Sequence, residues 1–105
     1  MRNIYSQPEA FGLRQFAMVD DANANYSFNR VVVWYDPVTL EYFWAQDAGC
    51  SCPSPFENVT SRDQLIRLYA FHSSLRGVLA AAVMCGASLD DRLSFERALE
   101  SRPRR

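Results

Sequence analysis

The stretch that decides the fold is residues 28–46, with the sequence FNRVVVWYDPVTLEYFWAQ. Two runs rich in β-branched and aromatic residues, 28–35 and 40–46, flank the four residues 36–39. Such residues favour strands, and the Asp36-Pro37 pair predicts a type I turn, because Asp can bond its own backbone and Pro presets φ. The stretch therefore predicts an antiparallel hairpin. Both runs carry apolar residues on both faces, so we expect at least one face to be covered.

The chain before the hairpin allows two interpretations. The apolar stretch 13–19 reads as a further strand, followed by a polar, turn-like segment at 20–25. A helix is the alternative, because Ser6 and Glu9 fit a capping box.

A helical region is predicted to follow the hairpin. Thr60 or Ser61 would cap it, with Asp63 and Gln64 placed to complete the box. Apolar spacing typical of a helix then joins five positions: Leu65, Leu68, His72, Leu75 and Leu79. Ser73-Ser74 and Gly77 weaken its middle, so it is one helix or two joined near Ser73.

The last helix has clear boundary signals. Gly86 ends the preceding helix, and Ser88 is placed to cap a helix from Leu89 to about Glu100. We expect Leu93 and Leu99 on one apolar face. The basic stretch 101–105 contains a proline and reads as a frayed tail.

Together these signals predict an α+β fold in one domain, residues 1–100. A small antiparallel sheet, with the hairpin at about 28–46 in its centre, would be packed by two or three C-terminal α-helices. The length of 105 residues fits a single domain with one core.

Charge is distributed unevenly. Residues 1–57 carry three Arg and seven acids, whereas residues 58–105 carry eight Arg and five acids. All eleven basic residues are Arg, which indicates the coding bias of a GC-rich genome. The aromatic strands could stack on nucleic-acid bases, but Arg30 is the only cation between Phe28 and Glu57, so core packing is the favoured interpretation and nucleic-acid binding is not expected.

No segment predicts a membrane or export. The longest charge-free apolar run of the C-terminal half, 77–87, is far shorter than the ~20 residues of a membrane span. The N-terminus lacks the apolar core of a signal peptide. We therefore expect a cytoplasmic protein. The sequence leaves its oligomeric state open.

The segment 49–55, GCSCPSP, cannot be regular structure, because it holds two prolines and a glycine. Two cysteines of this segment, Cys50 and Cys52, could form a zinc site together with His72 and Cys85, which lie later in the chain. Their spacing is irregular for structural zinc, and a Cys in an apolar helix commonly acts as a small hydrophobe. We expect three reduced thiols and no cofactor.

Catalysis is not expected either. A nucleophilic Cys50 or Cys52 would need His72 as base and an orienting group such as Asp47. No motif places these groups together, and a histidine on an apolar helix stripe is by default buried, neutral and hydrogen-bonded.

One part of the chain resembles a known family. Residues 26–57 hold YSFN, VVW, YFWAQD and GCSCPSPFE in that order. This order, and GCSCPSPFE above all, resembles small uncharacterised proteins from phages of actinobacteria, such as mycobacteriophages. The resemblance covers about a third of the chain. It implies a non-structural phage gene expressed in the host cytoplasm. It suggests no particular activity and assigns no functional residue.

The resulting hypothesis is a small phage protein that binds a host protein, in host takeover or counter-defence; a zinc-stabilised or nucleic-acid-binding regulatory module is the alternative. The binding residues would be those of the stiff loop, with Phe56 as a preformed anchor: Cys50, Ser51, Cys52, Pro53, Pro55 and Phe56. The competing interpretation is that Phe56 folds back to staple the following helix.

Overall fold

The computed structural model describes residues 3–23, 27–50, 55–68 and 73–102. Within them the chain forms one antiparallel sheet with the strand order β1-β2-β3-β4. Two helices follow the sheet in sequence, so the α+β class is confirmed. The elements are β1 (Arg14–Asp20), β2 (Ser27–Tyr35), β3 (Tyr42–Cys50), β4 (Ile66–Leu68), α1 (Ser73–Met84) and α2 (Leu89–Glu100).

The central hairpin is present as predicted. β2 and β3 pair without interruption from Tyr35 opposite Tyr42 to Ser27 opposite Cys50. The Asp36 carboxylate accepts the backbone N–H of Val38 at 2.8 Å, as expected of an Asp that opens a turn. β3 begins two residues later than predicted, because Leu40 takes a left-handed conformation (φ 60°) that closes the turn.

The N-terminal segment contains a strand, so the alternative of a helix over this stretch is wrong. β1 pairs antiparallel with β2, with an irregularity between Gln15 and Ala17. Before it lies a 3-10 turn, Pro8–Phe11, without a side-chain cap. Gly12 ends that turn in a left-handed conformation (φ 73°), and the chain then enters the sheet.

The helix predicted to begin at Thr60 or Ser61 is largely wrong. The Gln64 side chain does accept the backbone N–H of Thr60 and of Ser61. These bonds stabilise one 3-10 turn, Arg62–Gln64, and the chain then extends into β4. The segment forms a strand because it pairs with β3, with Leu68 opposite Tyr42. This pairing satisfies backbone hydrogen-bonding groups at the outer edge of the hairpin.

The two helices follow their boundary signals closely. α1 begins at Ser73, and Gly86 follows its end with φ 88°. Ser88 caps α2 by accepting the N–H of Asp91 at 3.2 Å. The predicted apolar face of α2 is wrong in one position, because Leu93 is 41% exposed while Leu99 is buried. Its buried partner is Phe95, four residues from Leu99 and therefore on the same face.

Both faces of the sheet are covered, but by different means. On one face the helices bury a core around Val31, Val33 and Trp44. Gly77 of α1 lies against the Trp44 ring, where an added Cβ would be 3.4 Å from the ring carbon Cζ2. On the other face the N-terminal segment and the chain after the loop bury a second core, made of Ile4, Leu13, Val32, Trp34, Phe43 and Phe56.

The prediction that the chain frays from residue 101 is wrong for Ser101 and Arg102. Arg102 is buried, its guanidinium donates to the carbonyl of Leu99, and it lies 5.9 Å from the centre of the Tyr42 ring. Contact with an aromatic ring and a helix-end carbonyl holds this cation in place. Residues 103–105 lie outside the described part of the chain.

Candidate binding surfaces

Phe56 is a core residue. Its side chain is 1% exposed, with its ring 5.7 Å from that of Tyr5 and 5.3 Å, edge to face, from that of Trp34. The prediction that Phe56 is an exposed anchor is therefore wrong. Its burial agrees with the competing interpretation, although Phe56 contacts strand β2 and the N-terminal segment, not a following helix.

The two ends of the GCSCPSP segment are fixed by the sheet. Gly49 lies opposite Phe28, and Cys50 is the last residue of β3, opposite Ser27, so the prediction that 49–55 is not regular structure is wrong for its first two residues. Neither of them is a proline, so both can pair in the ladder. At the other end, the Asp47 carboxylate accepts the backbone N–H of Phe56 at 2.7 Å. Asp47 thus closes the segment, a different role from that of orienting a catalytic base. Of the remaining predicted binding residues, Pro55 is half-buried, and Ser51, Cys52 and Pro53 lie outside the described residues.

Cys85 has the environment of a structural cysteine. It is buried, and its thiol donates to the carbonyl of Ala82 at 3.3 Å. Burial raises the pKa of the Cys85 thiol, which disfavours the thiolate that binds metals. The other suggested zinc ligands, Cys52, His72 and the side chain of Cys50, lie outside the described residues. Within those residues, no three His, Cys, Asp or Glu side chains are grouped to hold a metal ion.

A cavity of about 180 Å³ lies beside the anchored segment. Its wall is formed by the end of β3 and the residues after the loop, including Asp47, Phe56 and Glu57. Asp47 is already engaged by a backbone N–H.

The aromatic residues of β2 and β3 are buried, apart from the half-buried Tyr35. Trp34 and Trp44 are both buried. Arg30 is held at 2.8 Å both by the carboxylate of Asp20 and by the hydroxyl of Tyr5. Burial alone would raise the pKa of Asp20, but the hydrogen bonds from Arg30 and from nearby backbone N–H groups outweigh it and hold this pKa below its ordinary value.

A larger groove, about 390 Å³, lies between the edge strand β1 and helix α2. Phe16 and Met18 contribute from the strand, and Ser94 and Ala98 from the helix. One end is acidic, with Asp20 on the strand and Asp91 on the helix, and it is the end nearest the α1–α2 turn. No sequence motif could have predicted this groove, because the residues of its two walls are more than 70 positions apart in the chain.

Large apolar side chains are exposed at the turn between the two helices. Val83 and Met84 end α1, Leu89 begins α2, and Leu93 follows one turn later. Met84 is 80% exposed and Leu89 is 60% exposed. We call these four residues the helical corner. The i, i+4 spacing of Leu89 and Leu93, offset from Phe95 and Leu99, was the signal that could have found part of it.

The comparisons with known proteins give a family and no activity. The family described as Domain of unknown function (DUF7574) matches residues 2–86, so the chain belongs to this family. The match includes the whole sheet and α1. No curated protein and no solved structure matches the chain. Neither helix of the described part of the chain has the length and apolar character of a membrane span.

Proposed function

We propose that this member of a family of unknown function acts by binding a host protein in the cytoplasm of a phage-infected bacterium, in host takeover or counter-defence. The helical corner is the contact surface. The occupant is a folded protein that presents an apolar patch of its own.

The exposure of the helical corner is the observation that carries this proposal. Its four residues, Val83, Met84, Leu89 and Leu93, fall within eleven consecutive positions, and all are more than 40% exposed. Single exposed apolar side chains are ordinary, whereas a cluster of them typically marks an interaction surface. None of the four is needed to fill either core, so their apolar character is available for a partner.

The charges around the corner favour a protein as partner. Exposed charged side chains of both signs lie close to it on α2: Asp90 and Asp91 follow Leu89, and Arg97 comes four residues after Leu93. A nucleic acid would need a contiguous basic face. An apolar centre with a mixed, polar rim is the usual anatomy of a protein interface.

The setting comes from the resemblance of residues 26–57 to small actinobacteriophage proteins. Small phage proteins outside the virion often act by binding a host protein, which is support by association only.

The GCSCPSP segment is a second contact surface in this proposal, and the buried Phe56 is not part of it. The described residues on either side of its central part, Cys50 at the end of β3 and the buried Phe56, are held in place by the fold. Its predicted contacts are Cys50, Ser51, Cys52, Pro53 and Pro55.

The test uses the tagged full chain as bait in an actinobacterial host lysate, followed by affinity measurements with the purified captured protein. Met84→Ser/Leu89→Ser should weaken that affinity at least about tenfold, since central apolar contacts dominate interface energies. Cys50→Ser/Cys52→Ser should have a smaller effect.

Val38→Ser is the matched control. Val38 is 88% exposed and lies in the β2–β3 turn, roughly 26 Å from the corner end of β2 at 3.3 Å per residue. It should bind like wild type. Equal loss in all variants would indicate non-specific adhesion and contradict the proposal, as would salt-sensitive retention on DNA or RNA without a protein partner.

A further inference from the structure

Strand β1 has an unpaired edge in the sheet formed by the described residues. The N–H of Asp21 donates to the carbonyl of Asn29 at 3.2 Å, which fixes the phase of the ladder. Because opposed residues alternate between bonded and non-bonded pairs, Val19 is bonded to β2, whereas the N–H and C=O groups of Met18 and Asp20 point away from it.

The groove beside this edge leaves room for a second covered strand. Of the four α2 residues that line the groove, Ser94 and Ala98 are small, Phe95 is buried in the core, and Asp91 is at the acidic end. A strand that pairs with β1 brings its own covering helix towards α2, and small side chains let two helices approach closely. The open edge of β1 and the small side chains of α2 can therefore accommodate a second strand together with the helix that covers it.

The charges at the two ends of β1 are complementary. Arg14 begins the strand, is exposed, and forms no ion pair with the described residues. It lies opposite Tyr35, which packs on the helix-covered core, so Arg14 is on that face. At the far end, Asp91 lines the groove and Asp21 lies against Gly86, also on the helix-covered face.

We propose that two copies of this chain associate through their β1 strands, antiparallel about a twofold axis near Met18, to form a continuous eight-stranded sheet. Counting outward from Met18, and allowing for the extra residue between Gln15 and Ala17, Arg14 of one copy lies opposite Asp21 of the other. It is therefore beside Asp21 and Asp91 of the second copy. The sequence of β1 is in this sense complementary to itself, as a twofold interface requires.

This interface is separate from the helical corner. At 3.6 residues per turn, Leu89 and Leu93 lie on the side of α2 opposite to Ser94 and Ala98. The inference therefore goes beyond the proposed function, and a host protein could bind either the monomer or the dimer.

Sedimentation velocity of the full chain over a range of concentrations tests the interface. We expect a reversible dimer whose dissociation constant rises with salt, because charge pairs at both ends contribute. Arg14→Glu should raise the dissociation constant at least about tenfold, as should Asp91→Arg. Combining them as Arg14→Glu/Asp91→Arg should lower the dissociation constant at least about threefold below that of either single variant, because the pair is re-formed with reversed charges while Asp21 is unchanged.

Two further variants distinguish dimerisation through β1 from dimerisation through the helical corner and from loss of the fold. Met84→Ser/Leu89→Ser should dimerise like wild type, and both this variant and the charge variants should keep the wild-type melting temperature by circular dichroism within a few degrees. Met18→Pro, which removes an outward N–H, should be monomeric yet folded.

Three results would overturn the inference: a monomer at all concentrations up to about 1 mM, a dimer that the charge exchange does not strengthen relative to either single variant, or a dimer lost only in the corner variant. The first two leave the proposed function standing, since corner-dependent binding to a host protein is measured separately. Failure of corner-dependent binding would equally leave the dimer intact.

Discussion

The two edges of the sheet are built in contrasting ways. Within the described residues, the β4 edge is three residues long and carries Arg67, whose guanidinium lies 2.7 Å from the carboxylate of Glu41 in an ion pair. A short, charged edge is a common protection against unwanted strand pairing. The β1 edge is seven residues long, has Met18 near its centre and opens on a groove. The difference indicates that β1 is the edge at which another strand can add.

The largest expected effect concerns the segment that delivers β4 to the sheet. Phe56 anchors the start of that segment in the second core. Phe56→Ala should lower the free energy of unfolding by about 3–5 kcal/mol, through lost burial and the cavity left behind. Urea denaturation followed by circular dichroism measures this. In hydrogen exchange, amides of Ile66–Leu68 should lose protection before those of β1.

Val38→Ala is the control for that prediction. Because Val38 is almost fully exposed, its truncation should change the free energy of unfolding by less than about 0.5 kcal/mol. If Phe56→Ala proved equally mild, Phe56 would not be a core residue and would not anchor the β4 side of the sheet.

A pair of proline variants probes the direction of the β1 hydrogen bonds. Val19→Pro removes an N–H that bonds to β2 and should destabilise the protein by about 3 kcal/mol or more. Met18→Pro removes an outward N–H and should cost clearly less. Thermal melting of both variants gives the comparison. Equal destabilisation would mean that the assigned phase of the ladder is incorrect.

Acid should weaken the turn between β2 and β3. The N–H of Val38, helped by Thr39 and Arg62, holds the pKa of Asp36 below its ordinary value despite burial. A lowered folded-state pKa stabilises the fold fully above the unfolded value of ~3.9, and that stability is lost as pH falls through the folded value. The free energy of unfolding should therefore decline below about pH 4.

Asp36→Asn is the matched variant for the acid prediction. An Asn keeps an acceptor for the turn but has no carboxylate to protonate, so its stability should depend less on pH below about 4. If the free energy of unfolding of Asp36→Asn declined below this pH as steeply as that of the wild type, other carboxylates would cause the pH dependence.

The smallest expected effect belongs to the charged edge. Arg67→Ala removes a partly exposed ion pair and should cost less than about 1 kcal/mol. Arg76→Ala on α1 is a control of equal charge change. Neither variant should alter the dissociation constant of the dimer, and a shift confined to Arg67→Ala would place the association at β4.

The hairpin could be predicted because its signals are local. Residues 31–35 favour a strand by side-chain shape, and Asp36-Pro37 favours the turn by its own hydrogen bonding and fixed φ. Gly86 and Ser88 mark helix boundaries for equally local reasons. Such signals need no knowledge of the rest of the molecule.

The mistaken predictions depended on distant partners. Leu65 and Leu68 fit a helical period, but the unpaired edge of β3 made a strand the better use of this segment. Leu93 is apolar without being core, since Phe95 occupies the buried side of α2. The burial of Phe56 depends on Tyr5 and Trp34, neither of which is near it in sequence. The groove beside β1 likewise exists only once the fold is formed.

Amide hydrogen exchange of the wild-type protein, followed by NMR at a low and a high concentration, tests the open β1 edge most directly. The amides of Met18 and Asp20 should exchange rapidly in the dilute monomer and become protected as the concentration rises. The amide of Val19 should be protected in both samples, and those of Ile66–Leu68 should not change. Protection of Met18 and Asp20 in the dilute monomer, or protection that grows at β4 and not at β1, would contradict an open β1 edge.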